Sequence, residues 1–179
     1  RQISDFGEIG LLDLIVKSGI ADAINSLPNG IKGNREAVAE TIANNVRSKI
    51  IKEHLNDPAF YDKMSALLTE ILADLKAKRI SYEEFLKQIA EVAKSVQKGT
   101  SDETPEKLNT PGKRALYNNL GNDEELALKI DEAVKRERPD GWRGIQAREQ
   151  VIKAALWDIL KDVDEVERIF LIVRAQREY

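Results

Sequence analysis

Apolar residues recur along most of the chain at intervals of three and four positions. One stripe consists of Phe60, Met64, Leu67, Leu68, Ile71 and Leu75. Residues at this spacing share one face of an α-helix, so the stripe predicts a helix with a buried face. Similar stripes follow in most other stretches, and the β-favouring run 169–173 lies within a helical pattern. The pattern therefore predicts an all-α fold.

Turn and capping residues divide the first part of the chain into helices. A helix over residues 8–16, buried on most sides, is expected to end at Gly19. A second short element over residues 20–27 stops at the turn sequence 28–30. Asn34 is then the predicted N-cap of a long helix that runs to about Leu55.

The middle of the chain carries the signals of a helical hairpin. Asp57 followed by Pro58 predicts a helix start, because proline fits the first helical position. Ser81 and Glu84 have the spacing of a capping box at the start of the next helix. The short connection 79–81 between two amphipathic helices predicts a long antiparallel hairpin.

Residues 99–110 form a polar, breaker-rich stretch. Such a composition predicts a loop, and it marks either a boundary or a disordered segment. The loop separates an N-terminal part, residues 1–98, from a C-terminal part, residues 111–179. We expect the two parts to form one compact domain.

The C-terminal part shows further helix starts. Thr110 with its following proline, and then Asp123, predict two of them. The last two helices are expected over about 145–161 and 164–176, and Trp157, in the middle of the first, is expected in the core. Together the signals predict an irregular bundle of about seven to eight helices.

Composition restricts the chemistry of the chain. Its 179 residues include no cysteine and a single histidine, His54, which excludes disulfides and histidine-based metal sites. The net charge of −3 gives no overall attraction to a polyanion. No apolar run approaches the roughly 20 residues of a membrane span, so we expect a cytoplasmic protein without a membrane partner. A first residue Arg1 favours a piece of a larger gene product.

Acidic residues are candidates for metal binding or acid-base chemistry. Asp162 with Asp164, and the run 123–125, stand at predicted helix starts, where carboxylates stabilise the helix dipole. The serines and threonines have no histidine base at a plausible position for a hydrolase triad. We therefore expect a non-catalytic chain that binds no metal or cofactor of its own.

Basic residues and one tryptophan are the candidates for contact with DNA or a partner. Lys32 lies between Gly30 and Gly33 before a predicted helix, where it either contacts a phosphate or belongs to an ordinary turn. Trp142 and Arg143 lie between glycines, and they either anchor the turn or form part of an interface. The full candidate set is Lys32, Arg35, Arg47, Lys49, Trp142, Arg143, Arg148, Arg168, Arg174 and Arg177.

Several stretches together resemble the C-terminal region of the motor (R) subunit of type I restriction-modification enzymes. They are LPNGIKGNREAVAE at 27–40, NNVRSKI at 44–50, DPAFYDKMS at 57–65, PDGWRG at 139–144, ERIF at 167–170 and RAQREY at 174–179. Their order and their coverage of almost the whole chain carry the resemblance, and no single motif does.

The resemblance implies a parent subunit with a Mg-dependent nuclease domain, two helicase-like ATPase domains and a helical C-terminal region. Only the last matches this chain, so ATP and Mg belong to the parent's other domains. The parent is expected to be an ATP-dependent DNA translocase and endonuclease.

For the C-terminal region, the resemblance implies docking onto a methyltransferase built from modification and specificity subunits. Contact with double-stranded DNA is a further expectation. The closing residues 174–179 are expected on the outside of this docking domain, exposed to solvent.

Two other functions remain open at this stage. One is a generic helical protein-interaction domain, which would show no salt-dependent binding to DNA. The other is a small enzyme with helix-borne carboxylates, which would require a bound divalent metal.

Overall fold

The computed structural model describes residues 10–179, and within them the chain is all-α with no strand, as predicted. The ten helices are α1 (Leu11–Ser18), α2 (Ile20–Asn25), α3 (Asn29–Lys32), α4 (Arg35–Glu53), α5 (Pro58–Lys76), α6 (Tyr82–Lys98), α7 (Pro111–Asn119), α8 (Glu124–Glu137), α9 (Gln146–Leu160) and α10 (Val163–Ala175). A 3-10 turn, His54–Asn56, precedes α5. Eight of these helices have 7 residues or more, close to the predicted number. Glu8 and Ile9, where the first predicted helix begins, lie outside the described residues.

Two compact units make up the described chain. The first contains the described residues up to Lys52 together with Tyr61–Ser101. The second contains Glu53–Phe60 and Asp102–Tyr179. The division after Ser101 falls inside the loop that the sequence predicts over residues 99–110.

Apolar stripes are buried along the helices of the first unit. In α4 the buried positions include Val38, Ile42 and Val46, which recur every four residues. In α6 they include Phe85 and Ile89. α1 packs against α2 and α6. The three-four spacing in the sequence therefore identifies the buried faces of these helices.

One hydrophobic cluster forms the core of the second unit. α9 packs against α8 and α10, and α7 packs against the same two helices. The cluster includes Leu116, Ile130, Val134, Trp142, Ile152, Leu156, Ile169 and Phe170. Leu108, which lies in the loop 99–110, is also buried in this cluster. The loop is thus held at its C-terminal end by an apolar side chain.

Side-chain caps confirm several of the predicted helix starts. The side chains of Asn34, Ser81, Thr110 and Asp123 each accept a hydrogen bond from the amide N–H three residues later, at 3.1, 3.0, 3.3 and 3.0 Å. Asp162 does the same for Glu165 at 3.0 Å. The acidic residues Asp123 and Asp162 therefore have a structural role as caps.

Two local predictions are wrong. The turn expected at residues 28–30 is the start of α3, because the Pro28 carbonyl accepts from the amides of Ile31 and Lys32 at 2.9 and 3.0 Å. The capping box at α6 forms only in half. The Glu84 carboxylate accepts from the Gln88 side chain at 3.0 Å and is turned away from the cap.

Asp57 is a buried cap at the start of α5. Its carboxylate accepts hydrogen bonds from the Phe60 amide at 3.3 Å, from Asn118 Nδ2 at 2.8 Å and from Asn119 Nδ2 at 2.7 Å. Burial raises the pKa of Asp57, although these hydrogen bonds and the charge of Arg114 act in the opposite direction. Asp57 thus does more than the predicted cap, because it holds the first residues of α5 against the end of α7.

We expect Asp57→Ala to lower the free energy of unfolding of the second unit by roughly 2–3 kcal/mol, because it removes the cap and one acceptor each from the side chains of Asn118 and Asn119. Asp123→Ala, which removes an exposed cap with one hydrogen bond, should cost about 1 kcal/mol. Both tryptophans lie in the second unit, so urea denaturation followed by tryptophan fluorescence measures both variants. Equal losses of unfolding free energy in the Asp57→Ala and Asp123→Ala variants would contradict the larger role of Asp57.

Candidate docking site

Trp142 anchors the glycine-flanked turn to the core of the second unit. It is 2% exposed, and its ring lies 5.8 Å from the Phe170 ring. The indole Nε1 donates a hydrogen bond to the Tyr179 carbonyl oxygen at 2.9 Å. Gly141 and Gly144 have φ values of +56° and +81°, a region that favours glycine, so they allow the chain to turn on either side of the tryptophan.

Tyr179 is the buried end of the closing segment 176–179, which we call the tail. It is 4% exposed, and its hydroxyl donates to Asp131 Oδ1 at 2.5 Å. Burial and the hydrogen bond to Asp131 raise the pKa of the Tyr179 hydroxyl far above its ordinary value. Lys135 lies 3.0 Å from Asp131 Oδ1 and balances its charge. The expectation that the closing residues lie on the outside of the domain is therefore wrong for Gln176 and Tyr179, which are 6% and 4% exposed.

Glu178 ties the tail to the start of α7. Its carboxylate accepts from the Thr110 hydroxyl at 2.8 Å and from the Gly112 amide at 2.6 Å. A Cβ on Gly112 would lie 2.6 Å from Glu178 Cδ and 2.9 Å from Tyr179 Cε2. Only glycine at position 112 therefore leaves room for the tail to approach this closely.

Arg143 is held against the tail and the last turn of α10. Its Nε donates to the Arg174 carbonyl oxygen at 2.9 Å, and its Nη2 donates to the Gln176 carbonyl oxygen. The guanidinium lies 4.5 Å from the centre of the Trp142 ring. Burial and the neighbouring charge of Arg138 lower the pKa of Arg143. Trp142 and Arg143 thus form one structural unit with the tail.

Arg148 and Arg168, two of the other candidates for contact, also have partners within the second unit. Arg148 Nη1 donates to the Asp140 carbonyl oxygen at 2.9 Å. Arg168 Nη2 donates to Glu165 Oε1 at 2.7 Å and to the Asn119 carbonyl oxygen at 2.8 Å. The hydrogen bond from Arg168 lowers the pKa of Glu165. These two arginines are therefore committed to internal contacts.

The last two candidates of the second unit are more open. Arg174 is exposed and lies 5.8 Å from the centre of the Phe170 ring. Arg177 is exposed and makes no hydrogen bond or ion pair within the described residues. Arg177 is accordingly available to a partner.

The candidates of the first unit each have different neighbours. Arg35 lies 4.7 Å from the centre of the Tyr82 ring and 3.7 Å from the Glu83 carboxylate. Arg47 bonds to the Asn44 side chain at 2.9 Å. Lys49 follows two residues after Arg47, which puts the two side chains about 200° apart around α4. Arg47 and Lys49 therefore lie on different sides of α4. Lys32, at the end of α3, is exposed.

An apolar surface on α9 and α10 is the feature that the sequence predictions missed. Lys153 Nζ lies 3.0 Å from Glu167 Oε1, which fixes the register of the two helices. Trp157 lies one helical turn from this ion pair on α9, and Val163 lies one turn from it on α10. Leu171 follows one turn beyond Glu167 on the same side of α10.

We call Trp157, Val163 and Leu171 the outer face. Their exposed fractions are 42%, 65% and 54%. The ion pair between Lys153 and Glu167 lies among them and carries no net charge. The outer face therefore places three exposed apolar side chains around one ion pair on two adjacent helices.

The expectation that Trp157 lies in the core is wrong. The buried positions of α9 are Ile152 and Leu156, and Trp157 directly follows Leu156. Adjacent residues are about 100° apart around a helix, so the indole is turned away from the buried stripe. The spacing from Ile152 to Leu156 was the signal in the sequence that separates Trp157 from the core.

Among residues 10–179 no group of three or more histidine, aspartate and glutamate side chains is placed to hold a metal ion. In the same part of the chain no helix combines the length and apolar character needed to cross a membrane. The outer face, which presents apolar side chains and no reactive group, is suited to protein contact.

Comparisons with protein-family models, with curated proteins and with solved structures found no match to this chain.

We expect Gly112→Ala to lower the free energy of unfolding by about 1–3 kcal/mol, because the new methyl group displaces the buried Tyr179 ring. Gly30→Ala is the matched control. Gly30 also lies in the first turn of a helix and has nothing within 4 Å of an added Cβ. Urea denaturation followed by circular dichroism compares the two. A loss for Gly112→Ala no larger than for Gly30→Ala would show that the tail does not need this close approach.

Proposed function

We propose that this chain is a non-catalytic assembly module of the motor subunit of a type I restriction enzyme. The module docks the motor onto the methyltransferase core, which consists of modification and specificity subunits. The parent subunit's nuclease and ATPase domains would supply the catalysis and bind ATP and Mg. The order of the stretches at residues 27–65, 139–144 and 167–179 supports the family assignment.

The observation that carries the docking function is the exposed Trp157 on the outer face. Tryptophan is enriched among the residues that contribute most to binding at protein interfaces. On the adjacent helix, Val163 lies at the same end of the ion pair as Trp157, and Leu171 lies at its other end. Exposed apolar side chains around a neutral ion pair are the kind of surface that a protein partner covers.

Direct contact with the DNA backbone stays a prediction from the sequence. The net charge of −3 and the internal partners of Arg35, Arg47 and Arg168 favour protein docking as the main function of this module. A generic helical protein-interaction domain is the alternative. It shares the outer face and differs in its partner.

The experiment uses the complete motor subunit and its own methyltransferase, with complex formation measured by isothermal titration calorimetry. Trp157→Ala should weaken binding about 30-fold or more, because truncating an interface tryptophan commonly costs about 2 kcal/mol. Leu55→Ala is the matched control, since Leu55 is also an exposed apolar residue of the second unit. It should change the affinity less than about twofold.

Deletion of residues 102–179 from the complete subunit supplies the second test. We expect this deletion to abolish complex formation, and normal assembly after the deletion would overturn the proposal. An unchanged affinity for Trp157→Ala would overturn the role of the outer face. Binding of the chain to an unrelated helical protein, with none to the methyltransferase, would favour the generic interaction domain.

A further inference from the structure

Three arginines surround the turn at residues 138–143, which we call the arginine turn. Arg138 and Arg143 belong to it, and Arg148 Nη1 lies 3.6 Å from the position of a Cβ on Gly141. All three donate hydrogen bonds to backbone carbonyl oxygens. Within the described residues, none of the three lies within ion-pair distance of an acidic side chain. The turn also contains one carboxylate, Asp140, which lines the same cavity, so the three guanidinium groups leave an excess of positive charge.

The guanidinium groups keep unused donors. Arg138 uses only Nη1, which donates to the carbonyl oxygens of Glu178 at 2.5 Å and Tyr179 at 3.0 Å. Arg143 uses Nε and Nη2. Arg138 Nε and Nη2 and Arg143 Nη1 have no hydrogen-bond acceptor in the part of the chain that the structure describes. Both arginines line one open cavity of about 390 Å³.

Backbone amides add to these donors. Gly141, Trp142 and Arg143 also line the cavity, and within residues 10–179 their amide N–H groups make no hydrogen bond. Trp142 is almost fully buried, so water satisfies little of the hydrogen-bonding capacity of its amide. Successive amides in a turn that includes a left-handed residue commonly bind anions, and Gly141 has φ +56°.

The donors are also held in place before any ligand binds. Arg143 stacks on Trp142 and is bonded to the last turn of α10, while Arg138 is bonded to the tail. Prior ordering reduces the side-chain entropy that binding must otherwise overcome. The two guanidinium groups are close enough for the charge of Arg138 to lower the pKa of Arg143, and a bound anion would relieve this repulsion.

We propose that the arginine turn is a binding site for a phosphate group, held by Arg138, Arg143 and the amides of residues 141–143. A phosphate presents several oxygens in a tetrahedral arrangement and can bond to two guanidinium groups and to backbone amides together. A planar carboxylate has two oxygens and uses fewer of these donors. The site does not depend on docking through the outer face. The phosphate could be a free ion or part of a DNA backbone.

The test is a titration of the ¹⁵N-labelled chain with inorganic phosphate at constant ionic strength, followed by NMR. Saturable shifts are expected at the amides of Gly141, Trp142 and Arg143 and at the Nε–H groups of Arg138 and Arg143. Arg138→Gln should weaken phosphate binding about tenfold or more, because it removes a charge-assisted donor. Arg138→Lys keeps the charge, loses the planar fork, and should have an intermediate affinity.

Arg177→Gln is the matched control, because Arg177 is an exposed arginine of the second unit outside the cavity. It should leave phosphate binding unchanged. The Trp142 indole resonance checks that each variant keeps its fold. Equal weakening by Arg177→Gln and Arg138→Gln would overturn the proposal, and so would shifts that sodium chloride alone reproduces. The titration of the wild-type chain also tests the phosphate site without any variant. The absence of saturable shifts at residues 141–143 would overturn the proposal.

A short DNA duplex distinguishes the two sources of phosphate. If the site takes a DNA backbone phosphate, the duplex should move the same resonances at lower concentration and compete with inorganic phosphate. If the site takes a free phosphate, the duplex should leave these resonances unmoved while inorganic phosphate still binds. No partner protein enters this experiment, so its failure is separate from a failure of the docking proposal.

Discussion

The second unit depends on the burial of the tail between α7, α8 and the turn that carries Trp142. Tyr179 is the main buried residue of the tail. Its ring is buried, its hydroxyl donates to Asp131, and its carbonyl oxygen accepts from the Trp142 indole. Glu178 bonds to the start of α7, and Gln176 donates to the Asn56 carbonyl oxygen at 2.6 Å. Hydrogen bonds to charged groups are worth about 1.5–3 kcal/mol each, so the tail is a substantial part of this unit's stability.

The position of the tail also determines which side chains of the second unit remain available for binding. It occupies Trp142 and one side of Arg143, and it leaves other guanidinium donors of the arginine turn facing a cavity. The outer face, which consists of Trp157, Val163 and Leu171, lies outside these contacts. The proposed docking surface and the proposed phosphate site are therefore separate surfaces of the second unit. The arginine turn relies on the buried tail for its position, because Arg138, Trp142 and Arg143 all bond to it.

The comparison of sequence and structure shows which features are local. The caps at Asp57 and Asp123 were predictable because the donor lies three residues from the acceptor. The tail contacts were not, because Trp142 and Tyr179 are 37 residues apart and their pairing depends on the packing of whole helices. Trp157 illustrates a third case. The sequence shows that Trp157 directly follows Leu156 of the buried stripe, which places its side chain outside that stripe. The prediction instead followed the expectation that a tryptophan within a helix is buried.

The most direct test of the buried tail is the hydrogen exchange of the two indole N–H groups, measured by NMR in the same sample. Trp142 Nε1 is buried and bonded to the Tyr179 carbonyl oxygen, whereas Trp157 is partly exposed and has no such bond within the described residues. The indole proton of Trp142 should exchange only when the second unit unfolds, and that of Trp157 should exchange rapidly. Equally fast exchange of the two protons would contradict a tail that is part of the core.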